Sequence, residues 1–454
     1  MKKIAVVFGL LVALLMTGCE SNEPSNNNQE QEFTPVASIG KDNRVIYQVN
    51  LRSFSQEGTL AALQNDLDRL NSLGVDILWL MPIHPVGQED KVGALGSPYA
   101  PRDYKAIDPA YGTEQDLKNL VQAAHSKGMV VWLDWVANHT AKDCAWVTEH
   151  LEYYGKKGKL HPYSPTGYGD VYQLDHENAG LQAAMKDALC YWVREFDIDG
   201  YRCDFATNIP VSFWKQMRDA VNQIKEVEWL CEGDNKTYMQ VFDMDYAWGF
   251  NDFLNEWVST ANVSDLRATC LSFYNNEYYT NKARMLYLTN HDLSAYHGTE
   301  FGRYGNAVYP LTVLEFTLSD LPLIYNGQEI GFNQQIDFTS NSKVNWRYKN
   351  AKMATLIHQM TRLKRTVPAL ASGPNRGTLY NVATSDPNVY AFVRTKGESS
   401  AVVVLNFGTQ STEVQLQSGV PDGNYIDFLS GQPVDISEVS TVSLTANGYA
   451  VFVK

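Results

Sequence analysis

Basic residues are scarce. Lys and Arg number 37 against 51 Asp and Glu, a formal net charge of −14. Recognition of a phosphate backbone needs clustered cations, so this balance argues against a nucleic-acid partner and suits a neutral substrate. Cysteine is sparse too. Cys19, Cys144, Cys190, Cys203, Cys231 and Cys270 include no C-x-x-C pair, which removes the usual zinc and dithiol spacings. Without Cys19 five remain; most read as buried thiols, although an exported chain could oxidise one pair. No Gly-rich phosphate loop follows an early strand, which counts against an open doubly wound nucleotide-binding sheet. What is plentiful is ordinary core material. Hydrophobic residues make up 44% and charged residues 19%, enough to exclude global disorder. At ~150 residues per domain the chain holds two or three domains. Aromatics reach 12%, flat faces that serve a core or stack on sugar rings.

The one conspicuous apolar run comes first. Residues 4–16 (IAVVFGLLVALLM) follow a Met-Lys-Lys start. Thirteen residues fall short of the about 20 that span a bilayer but match the core of a signal peptide. Thr17-Gly18-Cys19 resembles the cleavage site of bacterial lipoproteins. The expectation is therefore a signal peptide over 1–18, a lipidated Cys19 and a polar tether over 19–40. Membrane contact would then run only through a lipid at Cys19 on an exported protein; plain secretion with an incidental Cys is the alternative. No later run is long and apolar enough to span a membrane.

From residue 44 short apolar runs alternate with helical patterns. Strands are expected at 45–49, 76–81, 129–134, 199–204, 228–232, 242–246, 284–289 and 321–325. Leu60, Leu63, Leu67 and Leu70 share one helix face, and Thr113 with Asp116 forms a capping-box pattern. Eight such steps predict a (β/α)8 TIM barrel over 41–139 and 178–365. The interval 140–177, rich in Tyr, Gly, His and Pro, is a small insertion after strand 3 and reads as a functional excursion. After residue 366 the β-rich pattern predicts a C-terminal antiparallel β-sandwich domain.

Catalytic groups of such a barrel come from the C-terminal ends of its strands. Strand 3 ends in Asp134-Trp-Val-Ala-Asn138-His139, strand 4 in Arg202-Cys203-Asp204, strand 5 in Glu232, and strand 7 runs into Asn290-His291-Asp292. Period two puts Arg202 and Asp204 on one face and Cys203 on the other, toward the helices with Cys231. On an inner face Arg202 would keep Asp204 ionised. A charged carboxylate beside a carboxyl that carries a proton is the pair that glycosidic cleavage needs. Asp292 adds a third acid; His139 and His291 add neutral donors suited to hydroxyls. A single Asp at a strand end is more often a cap or a surface charge, and Arg202 with Asp204 alone reads as a structural ion pair; their convergence is what points to chemistry.

These residues carry a resemblance to glycoside hydrolase family 13, the α-amylase family. DWVANH at 134–139 resembles its first conserved region and GYRCDFA at 200–206 its second. Glu232 stands where the third places its Glu, and Asn290-His291-Asp292 matches the fourth. SPYAPRDYKAIDPAYGT at 97–113 and Gly327-Gln328-Glu329 extend the likeness over about residues 44–454. The resemblance implies a retaining hydrolase of α-1,4 links in starch and maltooligosaccharides, with its carboxyls ~5–5.5 Å apart. Asp204 would be the nucleophile, Glu232 the acid and base, and Asp292 the grip on sugar hydroxyls. Arg202, His139 and His291 would position nucleophile and sugar, and Tyr99 would stack under the ring. Asn138 matches a family calcium ligand, without assignable Asp partners, so calcium is the one cofactor implied. Thr207-Asn208 replace the Lys-His of many α-amylases. The same scaffold also carries cyclomaltodextrinases, α-glucosidases and transglycosylases; a non-catalytic glucan-binding lipoprotein is the rival from another class. Trp146, Tyr153, Tyr154, Tyr163 and Tyr168 of the insertion are candidates to line a glucan cleft.

Overall fold

Eight short strands, buried on both faces, dictate the frame, because such strands are stable only when closed on themselves and covered by helices. A computed structural model describes residues 36–155, 162–165, 167–276, 281–318, 320–436 and 440–454. The expected leader, Cys19, the tether as far as residue 35, and 156–161 and 166 of the insertion lie outside the described residues.

In chain order the strands are β1 (Ile46–Val49), β2 (Ile77–Leu80), β3 (Val130–Val136), β4 (His139–Ala141), β5 (Val171–Gln173), β6 (Gly200–Asp204), β7 (Glu228–Cys231), β8 (Met244–Tyr246), β9 (Ala283–Leu286) and β10 (Leu321–Tyr325). All but β4 and β5 form one closed parallel barrel, β10 returning to β1 with Ile46 opposite Leu323. β4 and β5 pair antiparallel in the insertion. Alternation along the strands splits the core in two. Ile46, Trp79, Trp132, Leu230, Tyr246 and Leu323 fill the barrel, whereas Leu78, Val131, Tyr201, Cys203 and Cys231 face the helices. A Cβ on Gly200 would lie 2.3 Å from the Trp132 ring, so glycine there makes room for the indole. Thr113 and Asp116 form the expected capping box, and Gly74 ends its helix at φ 98°, a left-handed C-cap that glycine takes without strain. The five described cysteines are free and buried.

The C-terminal domain is antiparallel. β11 (Thr378–Thr384), β12 (Val389–Lys396), β13 (Ser399–Asn406), β14 (Thr412–Ser418), β15 (Gly423–Asp427), β16 (Pro433–Ile436), β17 (Thr441–Leu444) and β18 (Tyr449–Val453) follow one another. They join in the order β16-β15-β18-β13-β12-β11-β14-β17. Ala391, Val393, Val402 and Val404 build a core of its own with Leu416, Tyr425 and Val442. Tyr390, Phe392, Val403 and Leu405 point the other way, into the core shared with the barrel. Arg394 lies on that second face, and its guanidinium donates to Thr317 O (3.1 Å), Leu318 O (2.8 Å) and Ala371 O (2.9 Å). It thus caps the last carbonyls of the helix Val308–Leu318 and ties the two domains.

Two acids are buried behind the barrel, Glu300 and Glu315. Burial pushes Glu300 up to about 7; burial, with the Glu300 charge added, raises Glu315 well above the carboxylate range. A carboxyl that binds its proton more tightly folded than unfolded loses stability as pH rises from its unfolded value to its folded one. The melting temperature should therefore fall between about pH 4.5 and 7 and level off above the raised values. Thermal melts across that range should show a shallower fall in Glu300→Gln.

Candidate active site

Six strand ends, one loop and the first turn of one helix build the site. Gln48 comes from β1, Trp79 from β2, Asp134 from β3, Arg202 and Asp204 from β6, Glu232 from the residue after β7, and Tyr246 from β8. Tyr99 comes from the loop after β2, and His291 and Asp292 from the first turn of the helix His291–His297 after β9. Asn290 caps that helix by accepting from Leu293 N at 2.8 Å.

Arg202 is fully buried inside the barrel. Its NH1 donates to Asp134 Oδ1 at 2.9 Å and Asp204 Oδ1 at 3.0 Å, and its NH2 lies 2.6 Å from Glu232 Oε1. Nε donates to the Tyr246 hydroxyl at 3.0 Å. The rings of Trp79 and Tyr99 flank the guanidinium at 5.3 and 5.6 Å. Asp134 also accepts from Trp79 Nε1 (3.1 Å) and Tyr99 Oη (3.0 Å). Three carboxyls thus share one buried cation. Burial raises Asp134 to about 6 against the pull of Arg202. Burial also pushes Asp204 well above the ordinary range, the Glu232 charge adding to it and Arg202 opposing. Arg202 pulls Asp204 toward the ionised form expected of it, while burial and the neighbouring acids pull toward the protonated one.

Asp204 uses its two oxygens differently. Oδ1 is held by Arg202, while the buried Oδ2 has no hydrogen-bond partner among the described residues. The next residue, Phe205, turns with φ 47°. This left-handed conformation costs a non-glycine residue about 1–3 kcal/mol. It aims the Phe205 N–H at Glu232 Oε2, 2.5 Å away, so the second carboxyl is fixed by the turn that follows the first.

Both histidines are neutral. The His291 backbone N–H donates to Gln48 Oε1 (3.2 Å), so Gln48 Nε2 faces Nδ1 (2.7 Å) and the ring proton sits on Nε2. Nε2 then lies 2.8 Å from Tyr99 Oη and 3.2 Å from Asp292 Oδ2. Burial, with the Arg202 charge, lowers His291 well below its ordinary value; burial lowers His139 to about 4. His139 was expected to offer a donor to hydroxyls. Instead Nε2 donates to Tyr99 O (2.8 Å) and Nδ1 faces Asn138 Nδ2 (3.1 Å), so both ring nitrogens are engaged within the protein. Asn138 Oδ1, the expected calcium ligand, accepts from Gln173 Nε2 at 3.0 Å. Among the described residues the polar set bonded at this point includes no carboxylate, and so does not fit a calcium site built on Asn138.

A cavity of about 580 Å³ opens over the cluster, lined by Asp204, Glu232, Asp292, Tyr99, His139 and His291, with Thr207 and Asn208 beside them. The three acids therefore share one cleft, as expected. Val92, Tyr168, Trp248 and Tyr296 also line it and are among the few large apolar side chains left exposed. Of the insertion aromatics, Tyr168 lines this cleft, whereas Tyr153 and Tyr154 are buried in the main core and Trp146 stacks on Tyr104. Asp134, Gln48, Trp79 and Tyr246 were not among the expected site residues. A charged or amide side chain inside a wholly apolar strand, as in IYQV and VVWLDWV, was the available signal.

The family model for the α-amylase catalytic domain matches residues 25–168 and 163–365, and that for the α-amylase C-terminal all-β domain matches 380–452. Alpha-amylase MalA of Haloarcula japonica is 25% identical over 434 residues, covering 90% of this chain and 62% of the relative. The chain thus spans less than two thirds of that relative's length. A cyclomaltodextrinase of Geobacillus thermopakistaniensis is 25% identical over 428 residues, covering 87% of this chain and 70% of its own. The crystal structure of an α-amylase from Lactobacillus plantarum superposes with a TM-score of 0.80 at 27% identity, over 91% of this chain and 99% of that one. With both its domains matched in order, the chain belongs to the α-amylase family, glycoside hydrolase family 13.

Proposed function

We propose that the protein is a retaining α-glucan hydrolase that cuts α-1,4 links of starch and maltooligosaccharides. The observation that carries this reading is the Arg202 cluster, in which Asp204 and Glu232 meet on one guanidinium at the floor of a cleft that Asp292 also lines. The unpartnered Asp204 Oδ2 is the nucleophile. Its lone pair bonds to the anomeric carbon as the bond to the leaving sugar breaks, and Glu232 gives its proton to the leaving oxygen. Glu232 then takes a proton from water, the hydroxide attacks the same carbon, and Asp204 is released; two inversions give retention. Acid catalysis requires Glu232 to carry the proton at the leaving oxygen while Asp204 is charged beside Arg202 NH1. Asp292, beside the neutral His291, grips ring hydroxyls, and the exposed aromatics of the cleft supply faces for sugar rings.

The relatives bear α-amylase, cyclomaltodextrinase, maltogenic amylase and glucanotransferase names, so the product pattern decides among activities. Chromatography of digests of starch, cyclodextrin and maltotriose should show linear maltooligosaccharides released from starch, with α-anomers formed first by NMR. Cyclodextrin as the preferred substrate would move the assignment to a cyclomaltodextrinase. Glu232→Gln should lower kcat by about 10²–10⁴ while glucan binding persists; unchanged turnover removes Glu232 from this role. The pH profile of kcat/KM should be bell-shaped, with an acid limb from the nucleophile that must be charged and an alkaline limb from the acid that must keep its proton. That limb should vanish in Glu232→Gln.

We also propose export and a lipid anchor at Cys19. Labelled fatty acid should enter the wild-type protein and not Cys19→Ser; equal labelling of both would refute the anchor.

A further inference from the structure

The insertion meets the barrel at Gln173. Register in the small antiparallel pair sets it opposite His139. Its side-chain Nε2 lies 2.8 Å from Asn138 O, 3.0 Å from Asn138 Oδ1 and 3.2 Å from Leu174 O. Its Oε1 accepts from Asn138 Nδ2 at 3.2 Å. The orientation of the amide is fixed by its surroundings, since turning it over would point an oxygen at three other oxygens.

Three carbonyl oxygens from two chain segments, converging on one point beside the barrel mouth, are what a hard divalent cation collects. Here the point is filled by a nitrogen with two N–H donors. Among the described residues no carboxylate bonds to this set; Asp175, two residues along, accepts from the Glu177 N–H at 3.1 Å through Oδ1. Among the described residues no group of three or more His, Cys, Asp or Glu side chains is placed to hold a metal.

We infer that the Gln173 carboxamide takes the place of the calcium ion that the family resemblance implies at Asn138, so that the insertion is fastened to the barrel without a divalent cation. The fastening reaches the cleft in three steps. Asn138 Nδ2 faces His139 Nδ1, His139 Nε2 donates to the Tyr99 carbonyl, and the Tyr99 hydroxyl donates to Asp134. A loosened clasp would be felt at the site floor.

The test reads thermal melting of the full chain without substrate, so it stands apart from the assigned reaction. Wild-type protein freed of metal with EDTA should melt at the same temperature with and without millimolar calcium, and its kcat should be equally indifferent. Gln173→Glu puts a negative charge among three carbonyl oxygens. It should melt several degrees lower in EDTA and regain the loss when calcium is added. Gln173→Met, of similar volume and without donors, should melt lower in both conditions. A wild-type melting temperature that drops on chelation and recovers with calcium would overturn the inference. So would a Gln173→Met variant that melts like wild type, or a Gln173→Glu variant that calcium does not restore.

Discussion

The site depends on one guanidinium that cannot reach water. Arg202 has no exposed surface, and a buried charge persists only where it is paired and hydrogen-bonded. Its partners come from four strands: Asp134 from β3, Asp204 from its own strand, Glu232 from the end of β7 and Tyr246 from β8. Satisfying this one cation therefore draws two acids to a common point and orients both. Removing one partner of such a buried pair typically costs about 3–5 kcal/mol, so fold and site are linked through the same side chain. The acids outnumber the cation, and burial favours the protonated forms of Asp134 and Asp204 while Arg202 opposes it.

Around this centre the barrel supplies fixed parts. The proton on each histidine is placed by a neighbour, Gln48 for His291 and the Tyr99 carbonyl for His139. Burial keeps both rings neutral, so they add no second positive charge to compete with Arg202 for the acids. The left-handed turn at Phe205 converts the end of β6 into a donor for Glu232, a case of local strain held by surrounding structure at a functional position. Outside the cluster the cleft wall changes character, with Tyr168, Trp248 and Tyr296 exposed at its rim.

The barrel was legible because its strands are apolar runs separated by amphipathic helices, and period two sets Arg202 and Asp204 on the face opposite Cys203. β8 was the faintest, and it is only three residues long. The hub role of Arg202 was not legible, since Asp134 and Tyr246 stand 68 and 44 residues away and meet it only when the barrel closes. His139 was misjudged because its acceptor is a backbone carbonyl, and no side-chain pattern shows where a loop carbonyl points. Most of the insertion aromatics look alike in sequence, yet Tyr153 and Tyr154 were drawn into the core while Tyr168 stayed at the cleft. The amide of Gln173 gave no signal either, as its meaning lies in three oxygens contributed by two segments.

The account stands on Asp204 forming a bond to sugar carbon while Arg202 holds its other oxygen. The most direct measurement is mass spectrometry of protein quenched during reaction with a fluoro-sugar substrate whose glycosyl-enzyme hydrolyses slowly. One glycosyl unit should be added per chain, and peptide mapping should place it on Asp204. An enzyme that turns over glucan yet shows no adduct, or carries it on another residue, would contradict the assignment.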